Sequence, residues 1–268
     1  MTRIIDCHCH IYPDAIAERA VAGISTFYGL PNAYNGEIRQ LHALGSDFGM
    51  DHYLVFSVAT KPQQTRSINT FIAEAVYSSG GKMTGLGTVH PDSDSLEADI
   101  DHLIKLDLRG VKLHADIQAI AADDPRCQKI YAICQERNLP VLMHTGDYRY
   151  DYSNPERIAQ VLEAFPALTV VGAHLGGWSV WDDAKRILPQ YPNFYVDSSS
   201  SLYALPPQKA LEIIRTYGAE RVLFGTDYPM WPVEKELEMF NALDLTDEER
   251  ESILHRNAER LFNIPAST

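Results

Sequence analysis

Eight short runs rich in β-branched and aromatic residues alternate with longer helical stretches, and this alternation constrains the fold more than any other feature. The runs are Arg3 to Asp6, Tyr53 to Val58, Met83 to Val89, Gly110 to Leu113, Val141 to Met143, Thr169 to Ala173, Phe194 to Val196 and Val222 to Phe224. After the first, they recur at roughly 25 to 30 residues, the length of one strand, one helix of about three turns and two loops. Parallel strands joined by helical crossovers follow. The chain has 268 residues, and an α/β fold of the (β/α)8 TIM-barrel type, distorted by insertions, fills it at its usual size of about 250 residues. An open doubly wound sheet is the alternative. It more often carries a Gly-rich phosphate loop after the first strand, where this chain has Asp6-Cys7-His8-Cys9-His10.

A single barrel domain is expected over 1–268, with no repeat or linker marking a second. The first connection, 7–52, is longer than the others and contains the Gly/Tyr/Asn-rich Phe27 to Gly36, so a lid over the barrel mouth is expected at about 24–50. The last helix, from about Thr246 to Phe262, opens with Thr246 and Glu249 spaced as a capping box. Lys+Arg number 23 against 36 Asp+Glu, a formal charge of −13 that repels phosphate backbones and anionic lipid. Neither nucleic acid nor a membrane is an expected partner; a small molecule is. No apolar run approaches the roughly 20 residues that span a bilayer and Met1 to Asp6 shows no secretory leader, so a cytoplasmic location is expected. Cys7 and Cys9 lie too close to bridge and Cys127 and Cys134 have helical spacing, which leaves no disulfide framework.

Six of the 10 histidines, His8, His10, His90, His114, His144 and His174, stand at or just past the carboxyl end of a predicted strand, as does Asp227 after the eighth. A barrel gathers those ends on one face, so residues distant in sequence share one cavity. Strand alternation predicts that Asp6, His8 and His10 point inward while Cys7 and Cys9 face the helices. His8, His10, His144, His174 and Asp227 together offer neutral nitrogens and one carboxylate, the donor chemistry of zinc and related divalent ions with an open coordination position.

The ordered set Asp6-Cys-His8-Cys-His10, Gly110-Val-Lys112-Leu-His114, His144-Thr-Gly, Ala173-His174-Leu-Gly-Gly, Gly225-Thr-Asp227-Tyr-Pro229 and Asn257-Ala-Glu-Arg-Leu-Phe262 resembles the amidohydrolase superfamily. More narrowly it is similar to the amidohydrolase-related branch, which includes aminocarboxymuconate semialdehyde decarboxylase, resorcylate-type decarboxylases and lactone hydrolases. The resemblance implies a distorted TIM barrel in which His8, His10, His144 and Asp227 hold one divalent metal, zinc or else manganese, with His174 beside it as acid or base. A second metal would require Lys112 to be carbamylated; the other reading of Lys112 is a cation for a substrate carboxylate.

The expected activity is hydrolysis of a small lactone, ester or amide by metal-activated water, with Asp227 deprotonating the water and His174 stabilising the oxyanion or protonating the leaving group. The alternative is nonoxidative decarboxylation of a small unsaturated or aromatic acid, with His174 or Asp227 delivering a proton to carbon. A noncatalytic binding barrel is a third reading. For the substrate, Lys112, His114, Arg149, Trp178 and Tyr148 are the candidate contacts, because aromatic loops with one arginine can wall a pocket for a planar acid. His90, followed by Pro91, is assigned a structural role. Barrels of this kind often pair, so a homodimer is a candidate assembly.

Overall fold

A computed structural model describes residues 2–266. The β-rich runs pair in parallel as β1 (Ile5–His10), β2 (His52–Phe56), β3 (Met83–Gly85), β4 (Gly87–Thr88), β5 (Val111–Leu113), β6 (Val141–Met143), β7 (Val170–Gly172), β8 (Phe194–Asp197) and β9 (Val222–Leu223). β3 and β4 are halves of one stave. At their junction the Leu86 N–H donates to the Val55 carbonyl at 3.0 Å and the Gly87 N–H to the Gly110 carbonyl at 2.9 Å, so the chain leaves β2 and joins β5. The ring closes where Cys7 N–H donates to Phe224 O at 2.9 Å and His10 N–H to Tyr228 O at 2.7 Å. The α/β TIM barrel expected from the alternation is the observed fold.

Ile5, Cys7, Leu54, Phe56, Leu86, Leu142, Val171 and Leu223 fill the barrel, and Phe262 and Ile264 pack against them from the C-terminal segment. The opposite strand faces pack on the helices, as apolar residues on two-sided parallel strands require. The Thr246–Glu249 capping box forms, each backbone amide donating to the other residue's side chain. Among the described residues no helix is long and apolar enough to cross a membrane.

The first connection divides into α1 (Asp14–Tyr28) and α2 (Ile38–Phe48), and α3 (Thr65–Ser78) follows β2. Both α1 and α2 end on a glycine in the left-handed region, Gly29 and Gly49, which satisfies a terminal carbonyl. Of the lid expected at 24–50, Ile24, Tyr28 and Leu30 lie over the barrel mouth. Ile38–Phe48 is instead a crossover whose buried Leu41 lies against Tyr53 of β2.

One expectation is corrected inside β1. Asp6 pairs with Tyr53 and Cys9 with Val55, so three steps of β1 match two of β2 and the strand carries a bulge at Cys7 and His8. The extra residue resets the alternation. Cys7 joins Leu54 and Phe56 inside the barrel, whereas Cys9 packs with Tyr53 and Val55 on the helix side. Asp6 shares that side and accepts bonds from the Thr226 amide at 2.9 Å and the Thr226 hydroxyl at 2.6 Å. The bulge is what lets His8 and His10 face the mouth while Ile5 and Cys7 also point into the barrel.

Candidate metal centre

Three electron-pair donors meet at that mouth. His8 Nε2 lies 3.3 Å from His10 Nε2 and 3.4 Å from Asp227 Oδ1, and His10 Nε2 lies 3.7 Å from the same oxygen. Donor atoms at the corners of a tetrahedron with arms of about 2.1 Å stand about 3.4 Å apart, so this spacing fits one ion of zinc-like size. Proton placement points the same way. His8 Nδ1–H donates to Asp197 Oδ2 at 2.9 Å, which leaves Nε2 as a bare lone pair aimed at the other two donors. Burial drives the imidazoles of His8 and His10 well below their usual range, toward the neutral form that ligates metals. Unshielded, such donors repel one another; a cation between them removes the conflict.

Asp227 follows β9 with a φ of 60°, a left-handed conformation rare for a residue with a side chain. Just before it, Gly225 passes so close to β1 that a Cβ there would stand 2.9 Å from the His8 Cβ. The second oxygen of Asp227 accepts from the Ser200 hydroxyl, which itself accepts from Trp231 Nε1–H at 2.7 Å. Burial pushes the Asp227 carboxyl up and the Lys112 ammonium down, each toward neutrality. Lys112 Nζ lies 3.2 Å from His8 Nε2 and 4.6 Å above the Phe56 ring centre.

A second pair adjoins this trio. His174, also at positive φ (62°), donates from Nδ1 to the Ser199 carbonyl at 3.0 Å. His144 donates from Nε2 to the Gly146 carbonyl at 3.0 Å. Their remaining nitrogens, His174 Nε2 and His144 Nδ1, then face each other as lone pairs 3.0 Å apart. His144 therefore stands beside His174 rather than within the His8, His10 and Asp227 trio. All five side chains, with Lys112 and His114, line one chamber of about 30 Å³. His114 stacks on His144 with ring centres 4.1 Å apart and donates from Nε2 to the Tyr28 hydroxyl at 2.8 Å, tying α1 to the site. His90 accepts the Asp92 amide at Nδ1, a turn-closing bond.

The structure commits Arg149 to other partners than a substrate. Its guanidinium donates to both oxygens of Asp147 at 2.9 and 2.7 Å and to the Phe27 carbonyl at 2.6 Å. Tyr148 is 72% exposed and lies outside the chamber. Trp178 walls a space of about 20 Å³ with Tyr28, His174, Asp227 and Trp231. Sequence reasoning missed Asp197, Ser199, Ser200 and Tyr28. Asp197 ends β8 and the two serines follow it in Val-Asp-Ser-Ser-Ser, where a carboxylate at a strand end was the available signal.

A family model described as amidohydrolase matches residues 5–264. Decarboxylase orsB of Emericella nidulans is 30% identical over 127 residues, 40% of this chain and 38% of that protein. Gamma-resorcylate decarboxylase of Rhizobium radiobacter is 27% identical over 39% of this chain and 37% of that protein. The chain thus spans under two fifths of the curated relatives it matches. Among solved structures, the TIM-barrel protein Bb4693 from Bordetella bronchiseptica superposes with a TM-score of 0.82 at 25% identity, over 97% of this chain and 98% of that one. For 5-carboxyvanillate decarboxylase from Sphingomonas paucimobilis the TM-score is 0.79 at 16% identity, over 99% and 100%, a likeness of fold. The curated relatives overturn the expectation of a lactone, ester or amide hydrolase, since they are decarboxylases. The reason is chemical: imidazoles and a carboxylate around a cation serve either reaction, so residue types alone did not separate them.

Proposed function

The chain belongs to the amidohydrolase family, and on that premise we propose that it is a metal-dependent nonoxidative decarboxylase of an unsaturated or aromatic acid. The likeness to curated decarboxylases supports the reaction class, and the meeting of His8 Nε2, His10 Nε2 and Asp227 Oδ1 beside Lys112 in one buried chamber supports the metal site that the reaction needs. His8, His10 and Asp227 would hold one zinc or manganese ion, with His144 opening on the same chamber. When bound, the ion supplies orientation and charge neutralisation for the substrate carboxylate. A second ion, which would need carbamylated Lys112, is not part of this reading.

The remaining work falls to the chain. Asp197 holds the His8 ring by its Nδ1–H, and Ser200 fixes which oxygen Asp227 turns to the chamber. Lys112 offers positive charge to a substrate oxygen. The bond from carbon to carboxylate breaks, its electron pair stays on carbon, a solvent-derived proton is added there, and carbon dioxide leaves. Asp227 and His174 are the groups placed to pass that proton, His174 through the Nε2 that its bond to Ser199 leaves free. Zinc- or manganese-loaded protein given hydroxybenzoic and unsaturated acids in deuterated water is expected to release carbon dioxide and leave one deuterium at the vacated carbon. Conversion of lactones with uptake of water oxygen, and no carbon dioxide from any acid, would overturn the reading.

A further inference from the structure

Resting on that reading, we propose that the substrate acid carries an apolar substituent lodged between α1 and α3. The chamber where the donors meet holds about 30 Å³ and the space beside Trp178 about 20 Å³, each enough for roughly one water molecule. On the other side, His10 and His114 form the inner wall of a cavity of about 510 Å³. That size lies in the range of about 300 to 1,000 Å³ that takes organic ligands. An acid whose carboxylate reaches His10 places its other atoms there.

The walls say what those atoms are. Ile24 and Phe27 come from α1, Ile68 and Phe71 from α3, and Ile117 closes the inner end. The lining has no carboxylate; Tyr12, Ser57, Thr60, Gln64 and Ser67 bring neutral polar groups to it, and apart from its histidines the one charged residue is Arg19, exposed on α1. Between Ile24, Phe27, Ile68 and Phe71 a hydrated substituent would lose its water, whereas hydrocarbon gains by burial. Because the cavity runs inward to a metal donor, its occupant and the reacting acid are one molecule rather than a docked protein segment.

The test is a series of ortho-alkylated hydroxybenzoic acids, from the unsubstituted acid to the heptyl homologue. The expected kcat/KM rises about threefold to fourfold per methylene until the cavity is full. Gly23 brings no side chain to the cavity, and a Cβ there would meet no atom within 4 Å. Gly23→Leu therefore fills space without a clash, and leucine favours the helix. It is expected to cut turnover of the longest homologue about tenfold or more and that of the unsubstituted acid less than about twofold. The unsubstituted acid reports folding, and the native series stands without the variant. A flat or falling series with the unsubstituted acid still decarboxylated overturns this inference and leaves the reaction class intact; no carbon dioxide from any member breaks both. A flat series in which Gly23→Leu turns dimer into monomer by light scattering would also overturn it, assigning the cavity to a second copy.

Discussion

The two flanks of the metal centre invert what their compositions suggest. On the β6 and β7 side, Tyr148, Arg149, Tyr150 and Trp178 read like the wall of a pocket for a planar acid, yet that flank is closed. Arg149 lies 5.0 to 5.5 Å from the ring centres of Phe27, Tyr28, Tyr150 and Trp178 while its nitrogens are bonded to Asp147 and Phe27. On the α1 and α3 side, aliphatic and phenylalanine side chains, with a few neutral polar groups such as Thr60, Gln64 and Ser67 among them, surround the open space. A guanidinium amid aromatic rings is as suited to latching a helix as to binding a carboxylate, and the partner already present decides. Here Arg149 fastens the end of α1, and α1 roofs the site.

The largest effect that could break this comparison concerns the donors both flanks share. His8→Ala and Asp227→Ala are each expected to remove most bound zinc or manganese, by elemental analysis, and to lower turnover at least about a thousandfold. Full occupancy in both would leave no centre for the flanks to border. Asp197→Asn tests the support beneath His8. Loss of the carboxylate that orients Nδ1–H should weaken metal affinity about 10- to 100-fold in a competitive chelator titration, without unfolding the protein. Arg149→Leu sharpens the contrast directly. If the β6 and β7 flank is a latch, the variant keeps its metal and loses about tenfold in kcat/KM, with faster hydrogen exchange confined to the end of α1. A loss of substrate binding with α1 exchange unchanged would restore Arg149 to the pocket.

These contrasts also mark what was legible in the sequence. Strand spacing and strand-end histidines were readable because a parallel barrel converts two periodicities, one strand–helix unit and one inward residue in two, into a shared rim. The bulge at Cys7 and His8 was not, since one extra residue leaves composition untouched while flipping Asp6 and Cys7. Asp197 and Ser200 act by bonding His8 and Asp227 from other strands, contacts of 189 and 27 residues' separation that no local pattern encodes. The cavity was hidden for a related reason. Ile24, Phe27, Ile68 and Phe71 have the spacing of core-facing helix residues, and only the gap between α1 and α3 turns them into a wall.

The smallest effect expected lies behind the donors, on the helix Val233–Asn241 that follows β9. Glu236 is fully buried there and both its carboxyl oxygens lack a partner among the described residues. Burial, with Asp227 and Asp6 adding to it, pushes its carboxyl up to about 9. Folded protein therefore keeps the proton while the unfolded chain releases it above the ordinary carboxylate range. Stability from this group is complete below that range and falls as pH rises toward 9. Glu236→Met keeps the volume and removes the orphaned oxygens, so at neutral pH it should raise unfolding free energy on the order of 1 kcal/mol. The gain should widen between pH 5 and pH 9 in urea titrations. An equal gain at both ends would mean that Glu236 is not held neutral. The donor flank would then carry no pH-dependent stability cost that the apolar flank lacks.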